Sequence, residues 1–197
     1  MFNNVSLFEN KISSFFGSPY AVAVDCCTHA VELCLRYLNV KTVLVPKHTY
    51  LSIPMTCEKL NMSWNWKDDN WEEYYKLDGS SIYDAATLWR QGSYLPDAFM
   101  CISFQYKKHL SLGRGGAILC SNKVDYDALV KLSYDGRERG TSWSSQNISS
   151  IGYHYYMTPE TASLGLEKFK DAVSTVPKKW SFKDYPNLAE TYPCLYG

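Results

Sequence analysis

The chain has 197 residues, 46% of them hydrophobic and 20% charged, a balance that suits one folded domain with a sizeable core and excludes a disordered polymer. Lys and Arg together number 20, as do Asp and Glu, and the formal net charge of +0 argues against a general nucleic-acid binder, whose affinity comes largely from phosphate neutralisation. No apolar run approaches membrane-spanning length, so no membrane partner is expected.

The cysteines, Cys26, Cys27, Cys34, Cys57, Cys101, Cys120 and Cys194, are odd in number and form no Cys-x-x-Cys pair. Cys101 and Cys120 lie within apolar runs, as small buried hydrophobes do. Neither a metal site nor a disulfide framework is expected, and a reducing, cytoplasmic setting is. The first residues, Met-Phe-Asn-Asn-Val-Ser, lack the basic region and apolar core of a signal peptide. The 16 Tyr point to a large interface or to a Tyr-rich core.

In chain order, residues 6–16 carry a helical stripe of Leu7, Phe8, Ile12, Phe15 and Phe16, stopped by Gly17. Residues 20–24 read as a strand. Thr28 is placed to N-cap a helix over 30–38. Residues 42–45 read as a strand ended by Pro46, and 53–60 as a helix with Pro54 in its first turn. Residues 62–66 alternate as a strand, and 80–83 form another, closed by Asp84. Residues 99–104 and 117–120 are strands flanking a loop that contains Lys107, Lys108 and the turn Gly113-Arg114-Gly115-Gly116. Helices are expected over 123–134 and 159–173. The segment 174–197, with Pro177, Pro186 and Pro193 among aromatics, reads as an irregular tail.

Alternating strands and helices predict an α/β fold with a largely parallel sheet. Ligands in such folds sit beyond the carboxyl ends of the strands. Cys27, Thr28, Tyr50, Asp84, Ser103 and Lys108 all fall there. A lysine held at the end of a buried strand is desolvated, which favours a neutral amine able to attack an aldehyde.

The run Ser103-Phe104-Gln105-Tyr106-Lys107-Lys108 with its glycine-rich turn resembles the Schiff-base lysine segment of the DegT/DnrJ/EryC1/StrS sugar aminotransferases, which use pyridoxal 5'-phosphate (PLP). The family lysine lies five residues after a serine, which selects Lys108 over its neighbour Lys107. Ser80-Ser-Ile-Tyr-Asp-Ala-Ala-Thr87 resembles the family's strand ending in Glu-Asp-Ala-Ala-Gln. That likeness makes Asp84 the partner of the pyridine nitrogen and puts Thr87 near the ring oxygen, where the family has Gln or His. Ala21 to Ala30 resembles the family's strand and Ser-Gly-Thr-Ser-Ala turn, so Cys27 and Thr28, with Ser103, would hold the phosphate. Residues 43–52 resemble Val-Pro-Ser-Phe-Thr-Phe-Val-Ala, which assigns Tyr50 to the pyridine face. Gly152-Tyr-His-Tyr-Tyr-Met-Thr158 resembles Gly-Tyr-Asn-Tyr-Arg-Met-Thr, whose asparagine reaches the neighbouring subunit's phosphate. His154 stands at that position.

The resemblance covers roughly residues 6–172. It implies a three-layer fold type I PLP-transferase large domain with a mainly parallel mixed sheet over 1–173, followed by the tail 174–197 and without the family's small C-terminal domain. It further implies a homodimer that aminates a nucleotide-linked keto-sugar with a glutamate-type donor, Lys108 and Asp84 being the catalytic pair. A non-catalytic relative that binds a sugar nucleotide or a partner protein, and one half of a split enzyme, are the alternatives. Within the tail, Tyr185, Tyr192 and Tyr196 are candidates to cover the site.

Overall fold

The computed structural model describes residues 2–195. Helix α1 (Asn3–Phe16) buries Phe8, Ile12 and Phe16 and ends at Gly17, whose left-handed φ of 78° lets its N–H return to Ser13 O. Strand β1 (Tyr20–Val24) and helix α2 (Cys27–Tyr37) follow. Helix α2 starts one residue before Thr28, with Cys26 extended at the N-cap and no side chain capping the first turn. Thr28 therefore does not cap this helix; it stands inside the first turn. Next come β2 (Thr42–Pro46), α3 (Ser52–Lys59), β3 (Ser63–Lys67) and β4 (Tyr75–Lys76). The two-residue β4 has no periodicity to betray it in the sequence. Then come β5 (Ile82–Asp84), β6 (Phe99–Ser103), β7 (Gly116–Cys120), α4 (Lys123–Ser133), α5 (Pro159–Ser174) and the short α6 (Leu188–Thr191). Among the described residues, no helix is long and apolar enough to cross a membrane.

The main sheet is mixed, in the order β1-β7-β6-β5-β4, and β2 and β3 form a separate pair. Strands β5/β6 and β2/β3 run parallel. Strands β1/β7, β6/β7 and β4/β5 run antiparallel. Antiparallel pairing of β6 with β7 follows from their connection, residues 104–115, which is a loop that turns back rather than a crossover helix.

Period-two alternation divides the central strands between two cores. Ala21, Ala23, Met100, Ile102, Ala117 and Leu119 face a cluster completed by Phe8, Ile12 and Phe16 of α1 and Ala162 and Phe169 of α5. Val22, Val24, Phe99, Cys101, Ile118 and Cys120 face the other, completed by Leu33 and Cys34 of α2 and Leu129 of α4. The result is three layers, with α1 and α5 on one face of the sheet and α2 and α4 on the other. A sheet apolar on both faces requires this cover. Gly165 lets α5 approach α1, since a Cβ there would stand 2.5 Å from Phe8 Cε2.

The tightest approach that shapes the site is at Gly116. A Cβ on this residue would lie 2.6 Å from both Cys26 C and Cys27 N. Those are backbone atoms that no rotamer change can move. Gly116→Ala is therefore expected to push α2 away from β7 and to destabilise the fold by about 1–3 kcal/mol, the usual range for overpacking. A lowered urea midpoint with an unchanged m-value is the expected reading; an unshifted midpoint would show that the contact is not constraining.

Candidate active site

The carboxyl ends of β1, β5 and β6 and the loop after β2 border one cavity of about 770 Å³. Cys27, Thr28, Tyr50, Asp84, Thr87, Ser103 and Lys108 all line it. Residues far apart in the chain are thus brought together, as the strand-end argument requires.

Asp84 closes β5 and is only 6% exposed. A buried carboxylate needs donors in place of water. Tyr75 Oη donates to Oδ2 at 2.5 Å, and Ala86 N–H donates to Oδ1 at 2.9 Å. Thr49 Oγ1 and Tyr75 Oη are also in contact. Because the single Tyr75 proton goes to Asp84, Thr49 is the donor in that contact, and the chain runs from Thr49 to Tyr75 to Asp84. Burial pushes the Asp84 carboxyl above its ordinary range, against the Tyr75 bond, the Ala86 N–H and the charge of Lys108.

Lys108 faces the same cavity. Burial holds its amine below the ordinary lysine range, opposed by Asp84 and Cys27 and assisted by Lys107 and Lys178. Its Nζ lies 3.4 Å from Tyr185 Oη and 5.1 Å from the centre of the Trp180 ring. Lys107 also borders the cavity, but its side chain is exposed, with Nζ 5.6 Å from the Tyr106 ring centre. Of the two amines only Lys108 is desolvated.

Beyond Lys108 the cavity meets the N-terminus of α2. With no capping side chain, the first N–H groups of that helix are available to an anion. The approach permitted by Gly116 keeps β7 tight behind them. Ser103 Oγ accepts Gln105 N–H at 3.3 Å, which leaves its own proton to donate. Thr28 Oγ1 donates to Ser52 Oγ at 2.9 Å and retains acceptor capacity only, so its backbone N–H is the group left for an anion. Cys27 Sγ turns toward Cys101 O, 3.5 Å away, rather than across the helix end. His29 Nδ1 lies 2.7 Å from Asp25 Oδ1, and Arg114 donates to Asp25 Oδ2 at 2.8 Å. Burial lowers the His29 pKa, but the bonds to Asp25 and Cys26 outweigh it and raise the value to about 9. Imidazolium and guanidinium thus share one carboxylate, and the rim carries surplus positive charge. These donors suit a phosphate. Asp25, Cys26 and His29 stand close enough to hold a metal ion, with Asp25 also bonded to Arg114.

Tyr50 is 55% exposed at the mouth, its ring unburied by its own chain. Thr87 lines the wall, but its hydroxyl donates to Glu73 O at 2.6 Å, so it can offer a ring oxygen no proton. His154 does not line the cavity of its own chain. It stands two-thirds exposed with Nδ1 2.9 Å from Asp135 Oδ2.

The tail is more ordered than its sequence suggests. Glu73 N–H donates to Trp180 O at 2.9 Å and Phe182 N–H to Trp71 O at 3.1 Å. His48 Nδ1 meets Tyr185 O at 2.8 Å, and Leu188 N–H donates to Lys47 O at 2.9 Å. Residues 180–188 thus form a strap across the mouth, and Trp180, Asp184 and Tyr185 line the cavity. Tyr192 is not among its lining residues, and Tyr196 lies outside the described residues.

Sequence reasoning missed Thr49, Tyr75 and Trp180. A tyrosine in a two-residue strand gives no pattern, and Thr49 stands beside the assigned Tyr50 without a motif of its own. A lone tryptophan in a proline-bearing tail has no register.

The model of the DegT/DnrJ/EryC1/StrS aminotransferase family matches residues 1–85 and 90–185. No curated protein matches the chain. Among solved structures, AtS13 from Actinomadura melliaura superposes with a TM-score of 0.75 at 19% identity, over 87% of this chain and 60% of that one. The sugar aminotransferase CalS13 from Micromonospora echinospora gives 0.73 at 17%, over 87% and 61%. Spr1654 from Streptococcus pneumoniae in its PLP form gives 0.72 at 18%, over 87% and 59%. The chain thus spans about three-fifths of the length of the structures it resembles, with which it shares the fold. With the family model matched along nearly all of its length, the chain belongs to the DegT/DnrJ/EryC1/StrS aminotransferase family.

Proposed function

We propose that this chain binds PLP and works as an aminotransferase on a nucleotide-linked keto-sugar, with a glutamate-type amino donor. The observation that carries the reading is the placement of a desolvated Lys108 amine and a buried Asp84 carboxylate on one cavity, with the open N-terminus of α2 beyond Ser103. PLP supplies an aldehyde for an amine and a protonated pyridine ring that takes up electrons. The chain's residues divide the remaining work. The first N–H groups of α2 and the Ser103 hydroxyl hold the phosphate. Asp84, kept in place by Tyr75 and Ala86, keeps a proton on the pyridine nitrogen through a charge-assisted hydrogen bond. Tyr50 covers a ring face. Lys108, when neutral, takes and returns a proton at Nζ. Arg114 and the exposed Tyr106 at the rim suit a substrate with anionic and flat parts. Free thiols at the seven cysteines fit a reducing, cytoplasmic setting.

The same reading makes the chain a homodimer in which His154 reaches the phosphate held by the other copy. Its exposure and that of Ile151, at 82%, leave this segment open to a partner.

Three outcomes are expected. Borohydride reduction after incubation with PLP should fix a pyridoxyl group on Lys108. Because burial favours the neutral amine, half-maximal capture should fall below the ordinary lysine value of about 10.4. Peptide mapping that places the label on Lys107, or finds none, would refute the assignment. Asp84→Asn should retain PLP but slow the half-reaction with an amino donor by roughly 10- to 100-fold, the range for a hydrogen bond to a charged group; single-turnover absorbance checks this, and wild-type rates would remove Asp84 from the chemistry. Sedimentation at micromolar concentration should give the mass of two copies, and a monomer that holds PLP would contradict the shared site.

A further inference from the structure

The strap formed by residues 180–188 does more than cover the cavity. Two of its side chains meet the ε-amine of Lys108 directly. Tyr185 Oη is 3.4 Å from Nζ, and the Trp180 ring centre is 5.1 Å away. Both side chains are held from behind. Trp71 packs on Tyr185 with ring centres 5.5 Å apart, and Trp71 Nε1 donates to His48 O at 2.7 Å. His48 in turn meets the Tyr185 carbonyl at 2.8 Å. Lys178 pairs with Asp184 at 2.7 Å and lies 3.8 Å from the Trp180 ring centre. A hydroxyl pinned this way has a fixed position, and the flexible lysine must come to it.

We propose that Tyr185 is a positioning residue for Lys108, its hydroxyl holding the ε-amine toward the cavity in both proton states of that amine. An ammonium Nζ donates to Oη. After the amine loses its proton, the hydroxyl turns and donates to Nζ. A contact of 3.4 Å is long for a hydrogen bond, so the amine is released readily for reaction. The Trp180 face favours the ammonium form through its π electrons. A carboxylate in place of Tyr185 would lock the proton on; a neutral hydroxyl does not. The charged and titratable groups that act on the amine are Asp84 from β5, Cys27 from α2, the neighbouring Lys107, and Lys178 and Tyr185 from the tail.

The inference rests on the PLP reading, and its test separates the two. Tyr185→Phe keeps the ring and removes the hydroxyl. Stopped-flow absorbance follows covalent capture of PLP by Lys108 across pH. Binding of pyridoxamine phosphate, which carries an amine and needs no lysine, reports on the rest of the site. The expected result is a plateau capture rate that falls about 5- to 10-fold more than pyridoxamine phosphate affinity does, the effect of one ordinary hydrogen bond. The pH midpoint of capture should move lower, because the ammonium loses a charge-assisted bond and the neutral amine only a weaker neutral one. A midpoint that moves up, toward that of an exposed lysine, would mean that the variant only loosened the strap, and would overturn the proposal. An unchanged rate and midpoint would do the same. If wild-type protein binds pyridoxamine phosphate and fails only this comparison, the cofactor reading survives. If it binds neither cofactor form, both readings fall.

Discussion

A carboxylate buried at the end of a strand is the constraint around which this site is arranged. Removing an ionised carboxylate from water costs several kcal/mol unless protein donors replace the lost hydration. Asp84 cannot recruit those donors from its own strand, because the β5 backbone groups are engaged with β4 and β6. One donor comes from the turn that follows, through Ala86, and the other from across the sheet edge, through Tyr75. Tyr75 is then drawn against Thr49, which fixes the loop leading into α3. One buried charge thereby ties the edge of the main sheet to the segment between β2 and α3.

Opposite this carboxylate stands an amine whose burial acts in the reverse sense. Desolvation favours the neutral form of each group, and their mutual attraction favours the charged form of each. A site with two such groups responds to anything that fills the space between them. A cation-accepting ring atom near Asp84 strengthens the carboxylate form, and an electrophile near Lys108 draws on the amine form. The layered packing on either side of β6 and β7 makes the arrangement rigid, since both strands are buried on both faces.

How much of this was legible depended on whether a feature is local in sequence. The strand-to-turn segments that carry Cys27, Asp84, Ser103 and Lys108 announce themselves as apolar runs ending in polar residues, and the structure brings them to one cavity. Thr28 misled because threonine before an amphipathic run reads as a cap, whereas the helix begins earlier with an extended Cys26. Thr87 lines the cavity, but its hydroxyl is committed to Glu73 O, a partner no spacing reveals. Tyr75 and Thr49 were invisible because their meeting depends on how two sheets sit beside each other. His154 is exposed and paired with Asp135 away from the cavity, so within one chain nothing brings it to the site.

The anchors of the strap are distant in sequence from the strap itself. Residues 180–188 bond to residues 47–48 and 71–73, so each of these anchoring bonds closes a loop of roughly a hundred residues or more, an entropic cost met late in folding. Synthesis proceeds from the N-terminus, and earlier segments begin to fold first. The residues that line the floor of the cavity, from Cys27 to Gly115, are thus synthesised before the strap that crosses its mouth. Because a few hydrogen bonds hold the strap, local opening there would widen the mouth while the three layers stay packed.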